Sequence, residues 1–379
     1  RSIILMLTHC HTIGAADDVF TRARGAVAFL CVWGLGEIVG PLSPLLLLCS
    51  IIALPWYITA ALLVAMGYAF VVPEKSLYSP MWCRFVLYKA GWIKGGATLW
   101  LSDEVLSILD RVNDSVMVCY HPHGLIPCGF ALNGALRGRA KLSDALPKWL
   151  PLDARCSGVQ APILFKIPIL RHILLAFGCC EPATKEGMHR LMKGKTTFGI
   201  IPGGSEECSI HVTGEEHLYL KKRQGFIKYA LQYGYMVVIA FNFGESDLYR
   251  SLSVMRRINL WLVKRFGFVL PVFAGCWFCP LLPRTDVELH TVSTGPDGGW
   301  LLMTSQLPVK LFMQVLGKAI QFPRIDQPTS ADIETWHAKY IQVPRATSFL
   351  LESWPSLWTM CVAPPCMLCA CLQELRALY

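Results

Sequence analysis

An α/β fold is what the sequence predicts: a mostly parallel central sheet flanked by helices, preceded by an N-terminal transmembrane or membrane-embedded hairpin. Three observations point there. Gly25 to Val72 carries a single charge, Glu37. After Lys75, short apolar runs alternate with turns and helical stretches, the texture of a sheet covered by helices. Polar, glycine-bearing clusters fall directly after the apolar runs, where parallel sheets place ligands, outside the carboxyl ends of the strands.

Composition bounds the reading. Of 379 residues, 54% are hydrophobic and 16% charged, against roughly 25% charged in a typical soluble domain, and the mean hydropathy is +0.43. The length allows one large domain or two small ones. The net charge of +9 suits an anionic partner, either a phosphate-bearing molecule or an acidic leaflet. No zinc-finger or RNA-binding signature accompanies it, so no nucleic-acid partner is expected. The 16 cysteines are scattered through apolar segments, as at Cys31, Cys49, Cys119, Cys128 and Cys156, and read as buried free thiols in a reducing compartment. The CxxC pairs Cys276/Cys279 and Cys366/Cys369 lie in hydrophobic runs without nearby histidines, which argues against zinc or redox chemistry. The chain begins at Arg1 rather than Met, as a fragment or a translated transcript would, so a cleavable leader is not read from it.

In chain order, residues 1–24 form an N-terminal extension and 25–75 a membrane anchor. A spanning helix needs roughly 20 apolar residues. The anchor therefore holds two candidate helices, Leu45–Val72 being the stronger, with Pro41, Pro44 and Pro55 as break points. The plain alternative is a very apolar soluble core. Arg22, Arg24 and Lys75 flank both ends, so charge leaves the orientation open. Ser115–Tyr120, Thr196–Ile201 and Tyr235–Phe243 read as buried strands, and Phe266–Phe273 as a fourth. Leu125–Arg137 reads as a helix, and Arg223–Tyr233 as another with Phe226, Ile227, Ala230 and Leu231 on one face.

The chemistry lies just past the strands. His121-Pro122-His123-Gly124 places two imidazoles around a rigid proline, and Gly124 permits a tight turn. A helix is expected directly after it, whose positive end disfavours imidazolium and keeps a histidine neutral and able to accept a proton. Acyl transfer to an alcohol needs such a base, because a hydroxyl is a weak nucleophile until its proton is removed. The alternatives are a metal pair lacking evident third and fourth ligands, and a merely structural turn. Pro202-Gly203-Gly204-Ser205-Glu206-Glu207 offers backbone N–H groups to a phosphate or a developing oxyanion. Glu207 or Glu206 could orient a histidine or bind the acceptor; the plain reading is a polar turn. Ser205 lacks the GxSxG setting of a hydrolase nucleophile. Lys221, Lys222 and Arg223 could meet phosphates or anionic headgroups, or simply form a solvated face.

These blocks resemble the type 2 diacylglycerol O-acyltransferase family, which includes monoacylglycerol acyltransferases and some wax synthases. Tyr120 with HPHG at 121–124 resembles its signature. Pro168-Ile169-Leu170-Arg171 resembles its PxxR, and Gly203 to Glu207 its GGxxE. Arg223-Gln224-Gly225-Phe226 with Ala230-Leu231 resembles RxGFxxxAL, and Phe243 to Tyr249 its FGENDLY-type block. The resemblance runs from about Ser79 to Gln342. Met81-Trp82-Cys83-Arg84-Phe85 departs from the family's aromatic-proline block, and Ile239 stands where a proline is frequent.

The resemblance implies an integral protein of the endoplasmic reticulum membrane that also reaches lipid droplets. It implies acyl transfer from acyl-CoA, as co-substrate rather than cofactor, to diacylglycerol. Monoacylglycerol or a fatty alcohol is the alternative acceptor, and an inactive lipid-binding or droplet protein the alternative class. His121 and His123 become the expected catalytic residues, with Glu207 as carboxylate partner, since Ile126 and Cys128 stand where an HxxxxD aspartate would. Pro122, Gly124, Arg171, Gly203, Gly204, Arg223, Gly225, Phe226 and Glu245 become the substrate-binding candidates. No metal is expected, and a homo-oligomer is left open.

Two segments break the pattern, one inside the domain at 76–342 and one directly after it. Removing Val292–Gln314 leaves ELHTVLGKAIQFPRI, and removing Val343–Gln373 leaves KYIQELRALY, an amphipathic helix whose last part is 374–379. Both segments start with valine (GT codons) and end with glutamine (a CAG codon), the boundaries of eukaryotic introns. Two retained introns are the expectation, and they would disturb folding near the C-terminus. Genuine loops are one alternative, and a lipidated or membrane-contacting Cys361–Cys371 patch another.

Overall fold

The computed structural model describes residues 9–13, 18–71, 77–101, 115–135, 157–178, 180–251, 255–267, 269, 273–279, 281–293 and 319–352. Cys156, Cys366/Cys369, the Cys361–Cys371 patch, the segment 374–379 and most of both interrupting segments lie outside the described residues.

Strand β1 (His9–Ile13) leads to three apolar helices, α1 (Val19–Trp33), α2 (Gly40–Ala53) and α3 (Trp56–Val71), with a π-helical turn at Gly34–Val39 between the first two. The apolar run from Leu45 divides at Leu54–Pro55, one of the expected break points, whereas Pro41 and Pro44 lie within α2. Pro55 has no N–H to donate and pushes the preceding residue out of helical space, so Leu54 is extended at φ −116°, ψ 155°. Among the described residues, one helical stretch, Val19–Gly36, could cross a membrane by length and composition. It is not freely exposed, however: Ala28, Phe29 and Val32 are buried, and the last two pack into a core with Cys83, Val86, Ala90 and Trp92. Helices α2 and α3 form a hairpin in which the Thr59 hydroxyl donates to the Ser50 carbonyl at 2.9 Å. Their apolar side chains point outward: Ile52 is 84% exposed and Trp56 80%. Cys31 and Cys49 share that exposure, which corrects their reading as buried thiols; Cys119 and Cys128 are buried.

After α4 (Pro80–Leu87) come β2 (Lys94–Leu101), β3 (Val116–His121), β4 (Ser157–Gln160), α5 (Pro168–Ala176), β5 (Cys180–Pro182), α6 (Lys185–Lys193), β6 (Phe198–Ile200), α7 (Gly204–Ile210), α8 (Gly225–Tyr233) and β7 (Met236–Phe243). Then follow β8 (Arg250–Ser251), α9 (Met255–Phe266), β9 (Phe273–Ala274), β10 (Glu288–Ser293), β11 (Ile320–Gln321) and α10 (Ser330–Glu352). Of the strand expected at Phe266–Phe273, residues 268 and 270–272 lie outside the described residues. Phe266 instead ends α9, and Phe273–Ala274 pair antiparallel to β8 in a separate two-stranded sheet. The basic-apolar spacing of Met255–Phe266 suits a helix with one buried stripe, and that stripe carries the chain to Phe266.

The main sheet has the order β1-β2-β10-β7-β3-β6-β4-β5 and is mostly parallel, with antiparallel pairing at β1/β2 and where β10 and β11 meet β7. Strands β6, β3 and β7 are adjacent and parallel, so their carboxyl ends open on the same edge. Side chains alternate along them. Met117 and Cys119 of β3 and Val237 and Ile239 of β7 face α6, α8 and α10. Val116, Val118 and Tyr120, with Val238 and Ala240, face Phe130 and Leu99. Both faces are covered, which is why these strands read as unbroken apolar runs.

Strands β10 and β11 lie end to end along one edge of β7. His290 to Ser293 pair with Phe243 to Ala240, and Ile320 and Gln321 with Val237 and Met236. Helix α10 runs through the Gln342–Val343 boundary without a break.

Candidate active site

The edge where β3, β6 and β7 end gathers the motifs. HPHG leaves β3, PGGSEE leaves β6, and FGESD leaves β7. Within HPHG the two histidines have different surroundings. His121 is the last residue of β3 and shares the side of Met117 and Cys119, so its ring enters the core under α8 and α10. It is fully buried, and its Nε2 lies 2.6 Å from the Tyr340 hydroxyl of α10. The Phe226 ring packs edge-on against Tyr340 at 4.9 Å. Burial drives the His121 pKa down to about 3.

His123 is only partly buried. Its Nδ1–H donates to the Gly124 carbonyl at 3.0 Å, so the proton sits on Nδ1 and Nε2 carries an open lone pair. Burial lowers its pKa below the usual value, and the Gly124 bond opposes the shift. The expected helix-dipole effect is not the cause. The helical turn starts only at Cys128, and its first donors are taken: Cys128 and Gly129 N–H donate to Glu245 at 2.8 and 2.7 Å.

Glu207 reaches HPHG through the main chain. Its Oε1 accepts from the His123 backbone N–H at 2.6 Å and its Oε2 from Tyr219 N–H at 2.9 Å. The carboxylate therefore holds the turn that carries the imidazole, while the ring itself binds Gly124. Glu207 is 2% exposed, and burial raises its pKa to about 7. Gly203 is required beside it, because a Cβ there would overlap the Glu207 carboxylate. Gly124 is required for a second reason. It sits at φ +63°, and a Cβ would lie 2.8 Å from Glu245 Cγ.

The remaining candidates fall into two groups. Arg223 pairs with Glu206 and donates to the Gly203 carbonyl at 3.3 Å, tying the RxGF block to GGxxE. Phe226 and Glu245 belong to the same centre, Pro122 is buried in it, and the Gly204 N–H is bonded to the Ile201 carbonyl at 3.2 Å. Gly225 is exposed at the start of α8. Arg171 stands on α5 beside the anchor, its guanidinium 5.1 Å from the Phe70 ring of α3.

Several neighbours carry no motif of their own. Tyr340 left no local signal, being 219 residues from His121. His211, four residues after Glu207, is buried beside His123; its Nε2–H donates to the Ser246 carbonyl at 3.1 Å, and burial lowers its pKa to about 4. The helical i,i+4 spacing could have found it. Glu216 accepts from Ser246 Oγ at 2.8 Å, and burial raises its pKa to about 8. Burial likewise raises Glu245 to about 8, against the pull of its two N–H donors and of Lys89. Lys89, buried with its Nζ 4.2 Å from the Trp33 ring, is lowered to about 8 by desolvation. Among the described residues, no three His, Cys, Asp or Glu side chains converge as a metal site.

A family model described as diacylglycerol acyltransferase matches residues 48–295, from within α2 to just past β10. The diacylglycerol O-acyltransferase 2 of Bos taurus is 28% identical over 227 residues, covering 59% of this chain and 57% of the relative. That of Dictyostelium discoideum is 29% identical over 235 residues, covering 59% and 62%. The 2-acylglycerol O-acyltransferase 3 of Homo sapiens is 28% identical over 232 residues, covering 58% and 60%. The chain thus spans less than two thirds of the length of these relatives. No solved structure matches it.

Proposed function

The chain belongs to the diacylglycerol acyltransferase family, and we propose that it moves a fatty acyl group from coenzyme A to the free hydroxyl of a diacylglycerol, with His123 as general base. The observation that carries this reading is the His123 ring. It is partly open, neutral at neutral pH, and has its proton fixed on Nδ1 by Gly124. Nε2 takes the acceptor's proton as the hydroxyl oxygen attacks the thioester carbonyl. The tetrahedral intermediate collapses, the C–S bond breaks, and the thiolate recovers the proton from the imidazolium. Backbone N–H groups of Gly124 and Gly203 are assigned to the oxyanion, those of Cys128, Gly129 and Gly204 being already bonded. Exposed Lys221 and Lys222, at the turn before α8, offer charge to the coenzyme A phosphates.

In this reading the α2–α3 hairpin dips into the endoplasmic reticulum membrane. Helices of 14 and 16 residues reach about 21 and 24 Å at 1.5 Å per residue, short of the roughly 30 Å hydrocarbon core, so the hairpin embeds without spanning. A monoacylglycerol acceptor is the second reading, favoured by the similarity to the human 2-acylglycerol O-acyltransferase 3.

The test is turnover in microsomes with labelled acyl-CoA and a panel of diacylglycerol, monoacylglycerol and fatty alcohol. Diacylglycerol should be the best acceptor, and EDTA should leave the rate unchanged. No acceptor-dependent turnover with any of the three would end the enzymatic reading.

A further inference from the structure

The segment Cys276-Trp277-Phe278-Cys279 stands apart from the HPHG site, and its side chains face two ways. Cys276 and Cys279 turn inward and pack against the core that holds Trp92, Phe273 and Leu282. Trp277 and Phe278 turn outward and are 80% and 81% exposed. Both also have positive φ, 52° and 59°, a conformation costly for bulky L-residues. The loop imposes it through a set of short bonds. Gly275 N–H donates to the Cys279 carbonyl at 3.1 Å, Cys276 N–H to Leu282 at 2.8 Å, and Cys279 N–H to Cys276 at 2.9 Å. The aromatic pair is therefore held outward by a stiff hairpin.

The position of that hairpin identifies what it meets. The Trp92 indole N–H donates to the Pro283 carbonyl at 2.8 Å, and the Trp277 ring meets Trp92 edge-on at 6.0 Å. The Trp92 backbone lies directly against Gly25 of α1, and Leu281 lies 3.7 Å from where a Cβ on Gly34 would sit. The loop is thus mounted beside α1 and the π-helical turn, at the root of the outward-facing apolar hairpin. Exposed Arg24, Arg84 and Lys94 belong to the same neighbourhood, flanking the contacts of α1, α4 and Trp92. Exposed aromatics with basic neighbours next to an apolar insertion are the composition of a bilayer–water boundary.

We propose that Trp277 and Phe278 form a second membrane contact, seated at headgroup level of an anionic leaflet beside the α2–α3 hairpin. This rests on the membrane reading of that hairpin and adds to it a fixed tilt of the catalytic domain against the surface.

The test places photoreactive p-benzoylphenylalanine in the full-length chain in microsomes carrying 32P-labelled phospholipid, at Phe278 in one sample, at Val64 of α3 in a second, and at Asp326, which is 81% exposed, in a third. The exposed Phe278 tolerates the larger ring. On irradiation, the Phe278 and Val64 samples should both take up phospholipid label severalfold above the Asp326 sample. Labelling at Val64 with Phe278 at the Asp326 level, or with Phe278 cross-linked only to protein, overturns the second contact and leaves the hairpin reading standing. Background labelling at both sites overturns the two together.

Discussion

Replacing each histidine of HPHG singly should separate the chemistry from the scaffold. His123→Gln removes the open Nε2 lone pair from a partly exposed ring whose only side-chain bond among the described residues is to the adjacent Gly124 carbonyl. Loss of a general base costs typically 10²–10⁴-fold in rate, and loss of one partly exposed bond costs about 1 kcal/mol or less in stability. His121→Ala does the reverse. It empties a fully buried site and leaves the Tyr340 hydroxyl without its 2.6 Å partner. The hydroxyl keeps the weak Cys119 thiol as a partner, so losing the imidazole bond costs about 0.5–1.5 kcal/mol, and the cavity adds about 1–2 kcal/mol more. The assay pairs initial rates, from labelled acyl-CoA and diacylglycerol in purified micelles, with thermal melts of the same samples. His123→Gln should lose at least a hundredfold in kcat with a nearly unchanged melt. His121→Ala should lower the melting temperature by many degrees. A His123→Gln enzyme keeping a tenth of its rate, or a His121→Ala enzyme that is inactive yet as stable as wild type, would refute the assignment. The acid limb of the kcat/KM profile adds a check. The base must be neutral and its pKa lies below 6.5, so activity should fall only as pH drops below that value.

Glu207→Ala strands the His123 and Tyr219 N–H groups at about 1–3 kcal/mol each, so both the melting temperature and kcat should fall; an unaffected melt would mean the carboxylate does not hold the turn. Glu207, Glu216 and Glu245 have folded pKa values of about 7, 8 and 8, above the unfolded 4.5. At these three groups folding takes up protons, and stability should decline as pH rises from about 6.5 towards 8; below that range His121, His123 and His211, whose pKa values burial lowers, oppose the trend. Lys89, lowered to about 8, acts in the opposite sense only above pH 8; a flat melting profile between about pH 6.5 and 8 in differential scanning fluorimetry counts against these buried carboxyls. If Val292–Gln314 is intronic, its removal joins β10 to β11 as nine residues facing the eight of Met236–Phe243, with one bulge. Transcript sequencing should then find a form lacking both segments, and that form should resist protease better than the long one; finding only the long form, with both segments protease-resistant, contradicts this.

The features legible in the sequence are those set by short-range physics. Unbroken apolar runs at Ser115–Tyr120 and Tyr235–Phe243 signal strands buried on both faces, and the order of HPHG, GGxxE and FGE after such strands places them on one edge of a parallel sheet. Helix Gly225–Tyr233 was legible from its 3.6-residue spacing. Tertiary packing decided the rest, because burial and pairing depend on residues far apart in the chain. Strand parity turns His121 towards α10, and only the fold brings Tyr340 there to seal it. The same packing gives Glu207 a backbone N–H instead of an imidazole to hold, hands the first helix donors to Glu245, and lays α1 against the core while leaving α2 and α3 bare. Which of two adjacent histidines is open to a substrate is a property of solvent exclusion, and solvent exclusion is set by non-local contacts that neighbouring residues do not encode.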